Sequence, residues 1–145
     1  MQSLSYGNAT DQYLIQRING ASPEQLVALL LEGAERFLAQ TIQAMETRDM
    51  TLKARMVNRV SAIIEELLVR LNHEEGGEVV TNLTRIYDWW LHELFAATNA
   101  NESRRLVRIS NQMGGLKEAW NSLHVSKASH RVGMHQAFAS GDMVG

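Results

Sequence analysis

The sequence predicts an all-α protein, an antiparallel up-and-down four-helix bundle. Three observations carry the prediction: a single proline placed where a helix begins, four segments of about 20 residues with apolar side chains at helical spacing, and connections of only a few residues. With 145 residues, 45% of them apolar, the chain is long enough for one domain with a core and too short for two ordinary ones.

The first helix opens at Gly20-Ala21-Ser22-Pro23-Glu24-Gln25-Leu26. Ser22 supplies a cap, Pro23 fits the first helical position, and Gln25 stands where a capping box places its returning side chain. The segment from Pro23 to about Met45 then carries Leu26, Val27, Leu29, Leu30, Leu31, Ala34, Phe37, Leu38 and Ile42, a broad apolar face in which Ala34 and Phe37 are expected to be buried. The pattern fades at Thr47-Arg48-Asp49. A second helix starts near Thr51 with Leu52, Met56, Val60, Ile63, Ile64, Leu67, Leu68 and Leu71, and stops before Asn72-His73-Glu74-Glu75-Gly76-Gly77, where the glycine pair reads as a helix stop. The third carries Val79, Val80, Leu83, Ile86, Tyr87, Trp90, Leu91, Leu94 and Phe95, and ends at Asn99-Ala100-Asn101. The fourth carries Leu106, Val107, Ile109, Met113, Leu116, Trp120 and Leu123, with Gly114-Gly115 inside it as a sign of close helix approach or a kink. Residues 1–18 are read as a flexible N-terminal segment, 19–124 as the bundle and 125–145, rich in Ser, Gly, Ala and His, as a mobile tail.

Composition narrows the functional classes. A net charge of -2 gives no global field for nucleic acid, although residues 101–145 are mildly basic, with 6 Lys+Arg against 3 Asp+Glu. There is no cysteine, hence no disulfide framework and no thiolate metal site. The N-terminal residues lack the pattern of a signal peptide and no run of 18 apolar residues occurs, so a soluble protein that is neither exported nor membrane-inserted is expected. A di-iron bundle site would need Glu-x-x-His pairs, and Trp89 occupies the position three before His92. His124, His130 and His135 lack ligand spacing, no phosphate loop follows a strand, and no nucleophile elbow is present. The expectation is a protein with no catalytic residue, no metal and no cofactor.

What stands out is the surplus of large apolar side chains: Leu26, Leu29, Leu30, Ile64, Leu68, Leu91 and Trp89 cannot all point inward together with their neighbours. Some are ordinary singly exposed residues. The sharper reading is an apolar groove that accepts an amphipathic partner segment, to which seven methionines lend adaptability.

The run from Tyr13 to Ser22-Pro23-Glu24-Gln25-Leu26, then Leu31-Glu32-Gly33-Ala34 and Phe37-Leu38, resembles the opening of the flagellin export chaperone family (FliS). Ala62-Ile63-Ile64-Glu65-Glu66-Leu67, Leu71-Asn72 with Glu74, Gly76-Gly77-Glu78, Asn82-Leu83, Tyr87-Asp88, Leu94, Ala97 and Asn99 follow that family's order, and Ala119-Trp120 is similar to its closing signature. Leu31 stands where the family usually has an aromatic, Trp89-Trp90 is heavier than usual, and Gly114-Gly115 interrupts a helix that is usually continuous. The resemblance implies a cytoplasmic, non-enzymatic chaperone that binds the disordered C-terminal segment of flagellin, prevents its polymerisation and delivers it to the flagellar type III export gate. It also implies an N-terminal segment around Tyr13 and Ile18 that covers part of the groove in the absence of cargo. Groove candidates are Ile64, Leu68, Leu83, Tyr87, Trp90 and Leu94, on the two segments with the densest apolar runs. The alternative is another small helical adaptor or secretion chaperone with a different protein partner.

Overall fold

The computed structural model describes the backbone of residues 16–71, 74 and 76–140, and side chains through residue 123. All the regular structure among these residues is helical, with no strand. After a helical stretch at 16–19 come α1 (Pro23–Thr47), α2 (Met50–Val69), α3 (Gly77–Asn99) and α4 (Ser103–Ser140). The chain divides into two compact units, Leu30–Lys117 and a smaller one of Met1–Leu29 with Glu118–Gly145.

In the smaller unit the expected capping box is complete. The Ser22 hydroxyl accepts from the Gln25 amide at 3.1 Å, and the Gln25 side chain accepts from the Ser22 amide at 3.0 Å. Ala28 is buried, whereas Leu26 and Leu29 keep part of their surface.

In the larger unit a row of buried side chains runs along every helix in alternating steps of three and four: Leu31, Ala34, Leu38, Thr41 and Met45 on α1, Val57, Val60, Ile64 and Leu67 on α2, Leu83, Tyr87, Trp90, Leu94 and Ala97 on α3, and Leu106, Ile109 and Met113 on α4. Ala44, Met56, Ser61 and Thr98 are buried beside this row and widen it on α1, α2 and α3. Phe37 falls outside this phase. It is half-buried under the Arg59 guanidinium, 5.4 Å from its ring centre, and so departs from the expectation that it sits in the core with Ala34.

Specific contacts show which helices are neighbours. Gly33 approaches Ile63 and Phe37 meets Arg59, joining α1 to α2. Lys53 Nζ donates to the Thr98 carbonyl at 3.1 Å, which sets the start of α2 beside the end of α3. Trp90 Nε1 donates to Gln112 Oε1 at 2.8 Å, and Arg105 reaches Glu93, joining α3 to α4. Lys117 pairs with Glu35 at 2.9 Å, joining α4 to α1.

Two links share one design. Arg48, at φ 57°, donates to Met45 O while Asp49 donates to Ala44 O; Asn101, at φ 56°, donates to Thr98 O while Glu102 donates to Ala97 O. Both are Schellman motifs built with a non-glycine residue in the left-handed region. Asp49 then turns directly to its second task, accepting from the Leu52 amide at 3.0 Å as the cap of α2.

Three boundaries differ from the sequence reading. Gly76 and Gly77 open α3 instead of closing α2, with φ of 52° and 88° that an L side chain rarely adopts. α2 ends earlier, where Arg70 donates back to Glu66 O. The backbone of α4 stays helical to Ser140, past the end expected near Leu123, because no proline or cap stops it even though its apolar periodicity has faded. Finally, the Gly114-Gly115 pair does not mark a close helix approach. A Cβ on Gly114 would meet only a Glu35 carboxylate oxygen at 3.4 Å, and one on Gly115 would meet nothing within 4 Å.

Two stability outcomes follow from these local facts. Ser22→Ala removes half of the capping box and should lower unfolding stability by about 1 kcal/mol in urea titration. Gly115→Ala should raise it by about 1 kcal/mol, since Gly115 is exposed in a helix interior. A loss of stability on Gly115→Ala would show that something occupies the open space beside it.

Candidate functional site

Helical phase sorts the expected groove residues. Ile64, Trp90 and Leu94 are fully buried, Tyr87 is 1% exposed and Leu83 8%, so these five side chains form part of the interior seam. Leu68, one position off the α2 seam, is half-buried. Ile18, on the helical stretch before α1, is 46% exposed. Tyr13 lies outside the described residues. The structure thus brings Ile64, Leu68, Leu83, Tyr87, Trp90 and Leu94 together on α2 and α3, but with only Leu68 retaining appreciable surface.

The interior group is well ordered by its contacts. The Tyr87 and Trp90 rings lie 5.4 Å apart, tilted by 41°, and the Trp90 indole is held by Gln112. Burial pushes the Tyr87 phenol up to about 12, because the phenolate loses its hydration there.

The apolar surface lies elsewhere. In the larger unit Val79, Ile86, Trp89 and Phe95 on α3, Val107 on α4, and Met50 and Val69 at the two ends of α2 are the large apolar side chains left exposed; in the smaller one Ile18 and Leu123 are. Of the seven residues whose inward packing looked impossible, Trp89 is among the exposed ones, Ile64 is in the seam, and Leu26, Leu29, Leu30, Leu68 and Leu91 are half-buried. The surplus is real, and it is distributed along the flanks. A partial signal for it was available in the sequence: subtracting the three-four seam 83, 87, 90, 94, 97 from α3 leaves Val79, Val80, Ile86, Trp89, Leu91 and Phe95, of which Val80 and Leu91 are half-buried and the other four exposed.

Charges fix the frame around this surface. Arg105 makes a two-pronged contact with Glu93, at 2.9 and 2.8 Å, and also holds Glu102 at 2.9 Å. The hydrogen bonds from Arg105 lower the Glu93 pKa, with the charges of Arg105 and Arg108 acting in the same direction, and they raise that of Arg105. Arg108 lies over the Trp89 ring, 5.4 Å from its centre. Among the described residues no group of three or more His, Asp or Glu could hold a metal ion, and no helix is long and apolar enough to cross a membrane.

Tyr87 gives the interior a pH signature. The folded phenol titrates higher than the unfolded one, at about 10, so its contribution is complete below pH 10 and is lost as pH rises toward 12. Ultraviolet titration should show a tyrosine that resists ionisation until about pH 12, and that transition should vanish in Tyr87→Phe. A Tyr87→Phe variant that instead lost a transition near pH 10 would place the phenol in water.

Comparison with known proteins bears on what such a surface is for. Residues 6–127 match the family described as "Flagellar protein FliS". The flagellar secretion chaperone FliS of Campylobacter jejuni is 35% identical over 103 residues, covering 71% of this chain and 80% of that protein. FliSB of Pseudomonas aeruginosa, also a flagellar secretion chaperone, is 30% identical over 107 residues, 74% of this chain and 85% of that one. FliS of Salmonella typhimurium is 29% identical over 107 residues, 73% of this chain and 79% of that one.

Proposed function

The chain belongs to the FliS family of flagellar secretion chaperones, which are not enzymes, and we propose that its cargo is the disordered C-terminal segment of flagellin. In this reading it covers that segment in the cytoplasm, keeps flagellin from polymerising and hands it to the flagellar export gate. The observation that carries the proposal is the family match over residues 6–127, which includes every seam position on the four helices. Surplus apolar surface on the helix flanks supports it.

The scaffold we propose for the task is an antiparallel four-helix bundle over 19–124. Its support is the run of neighbour contacts, α1 to α2, α2 to α3, α3 to α4 and α4 back to α1. Physically, the C-terminal part of flagellin carries an apolar stripe that pairs with other subunits once assembled, so before export that stripe must meet an apolar surface other than another flagellin. A helix laid along the flanks of α2 and α3 does this through apolar anchors at helical spacing. Ordering the segment opposes binding, so a wide contact surface yields an affinity that still permits release.

Leu68 and Tyr87 separate surface from interior. Leu68→Asp should keep its helicity and melting behaviour yet bind a flagellin C-terminal peptide at least roughly ten-fold more weakly. Tyr87→Asp should lose the fold, because an unpaired charge in the seam costs several kcal/mol. Full-length flagellin should co-purify with the chain, and flagellin lacking its C-terminal helix should not. Equal recovery of the two flagellins would sink the cargo assignment.

A further inference from the structure

We propose that Asn19 is a site of spontaneous covalent modification: attack by the Gly20 main-chain nitrogen expels its side-chain amide as ammonia and leaves aspartate or isoaspartate at the joint between the helical stretch 16–19 and α1. The reagent is water and no partner takes part, so the inference stands apart from the flagellin reading.

Sequence supplies the reactive pair. A residue that follows asparagine shields its own nitrogen with its Cβ, and glycine has none, so the Gly20 nitrogen is open to approach and its backbone free to adopt the geometry of attack. No other asparagine of the chain precedes glycine. Structure decides how readily that nitrogen is released. The Gly20 amide donates to Gln16 O at 3.0 Å, and this bond must break first. It closes a single helical turn, 16–19, in which every residue is exposed, Ile18 at 46% among them. One turn without a buried side chain is marginal, so the amide opens at little cost. Other asparagines are held more firmly: the amides after Asn58, Asn82 and Asn111 lie well inside α2, α3 and α4, and the one after Asn101 donates to Ala97 O in the Schellman link.

In the first step the Gly20 nitrogen gives its proton to a solvent base, its lone pair forms a bond to Asn19 Cγ, and the Cγ–Nδ2 bond breaks as Nδ2 takes a proton and leaves as ammonia. Water then adds to either carbonyl of the cyclic imide. Opening at Cγ gives aspartate; opening at the main-chain carbonyl gives isoaspartate, in which the chain runs through Cγ and is longer by a methylene. The sum is amide plus water to acid plus ammonia, with nothing oxidised or reduced. Either product sets a carboxylate at the carbonyl end of the 16–19 turn, where negative charge is unfavourable. Isoaspartate also shifts the Gly20–Gln16 and Ala21–Ile18 bonds out of register. The Ser22–Gln25 box lies beyond the altered peptide, so α1 keeps its start.

The test incubates the full chain at mildly alkaline pH, digests it under mildly acidic conditions that halt the reaction, and reads the peptides by mass spectrometry with electron-transfer fragmentation. Asn19 should gain about 1 Da as its amide becomes an acid, with fragments of the isoaspartyl linkage, while Asn58, Asn82 and Asn111 stay intact. Incubation at mildly acidic pH should slow the gain, because the attacking nitrogen must lose its proton. Gly20→Ala should slow it by roughly ten-fold or more, since a Cβ crowds the nitrogen. Alanine fits there, as Gly20 has no positive φ and a Cβ would come no nearer than 3.4 Å, to Gln16 O. Asn19→Asp supplies the standard for the aspartate product and should show no gain. An Asn19 that survives while Asn58, Asn82 or Asn111 is converted, or that reacts as fast in Gly20→Ala as in the parent, overturns the proposal, and so does a parent chain that shows no conversion at all.

Discussion

One spacing runs through the larger unit: on all four helices a row of buried side chains advances by alternating threes and fours, with Ala44, Met56, Ser61 and Thr98 buried beside it. That row fixes the rotation of each helix about its own axis. Every other property follows from that rotation. Trp90 is carried inward to meet Tyr87 and donate to Gln112, and Glu93 is carried to the flank where Arg105 reaches it. The seam mixes small members, Ala34 and Ala97, with large ones, Tyr87 and Trp90.

The connections reinforce the same register. A link of two residues between α1 and α2 can exist only because Arg48 accepts a left-handed backbone and Asp49 serves as the end of one helix and the cap of the next. Asn101 and Glu102 repeat the turn between α3 and α4. Such turns leave little slack, so neighbouring helices cannot slide by a turn without breaking caps at both ends.

Signals that act within one turn of chain were legible in the sequence. The Ser22–Gln25 box, the start of α2 and the end of α3 each depend on residues adjacent to the event, and those residues are specific in type. Apolar density was a poorer guide. It places Ile64, Leu83, Tyr87, Trp90 and Leu94 in a dense run, yet density is the same for a side chain in the seam and one beside it; only phase distinguishes them. Phe37 shows the converse, a large ring adjacent to buried Leu38 that is satisfied by Arg59, a partner 22 positions away that no local pattern announces. The far end of α4 escaped notice because a helical backbone needs neither an apolar stripe nor a cap to continue, only the absence of a breaker.

The dipeptide Trp89-Trp90 shows how one helix rotation divides core from surface. Consecutive residues on a helix point about 100° apart, so one indole fills the seam while its neighbour lies on the flank beneath Arg108. The inner one is tied to Gln112, and its loss would open a cavity; the outer one can change without disturbing the interior. A shift of one residue in the phase of α3 would exchange the two, burying Trp89 and exposing Trp90, and would carry Tyr87 and Leu94 out of the core at the same step. Which side chains are left on the flank is therefore specified by the same rotation that packs the core, so flank positions such as Ile86 and Trp89 can vary while the seam stays intact.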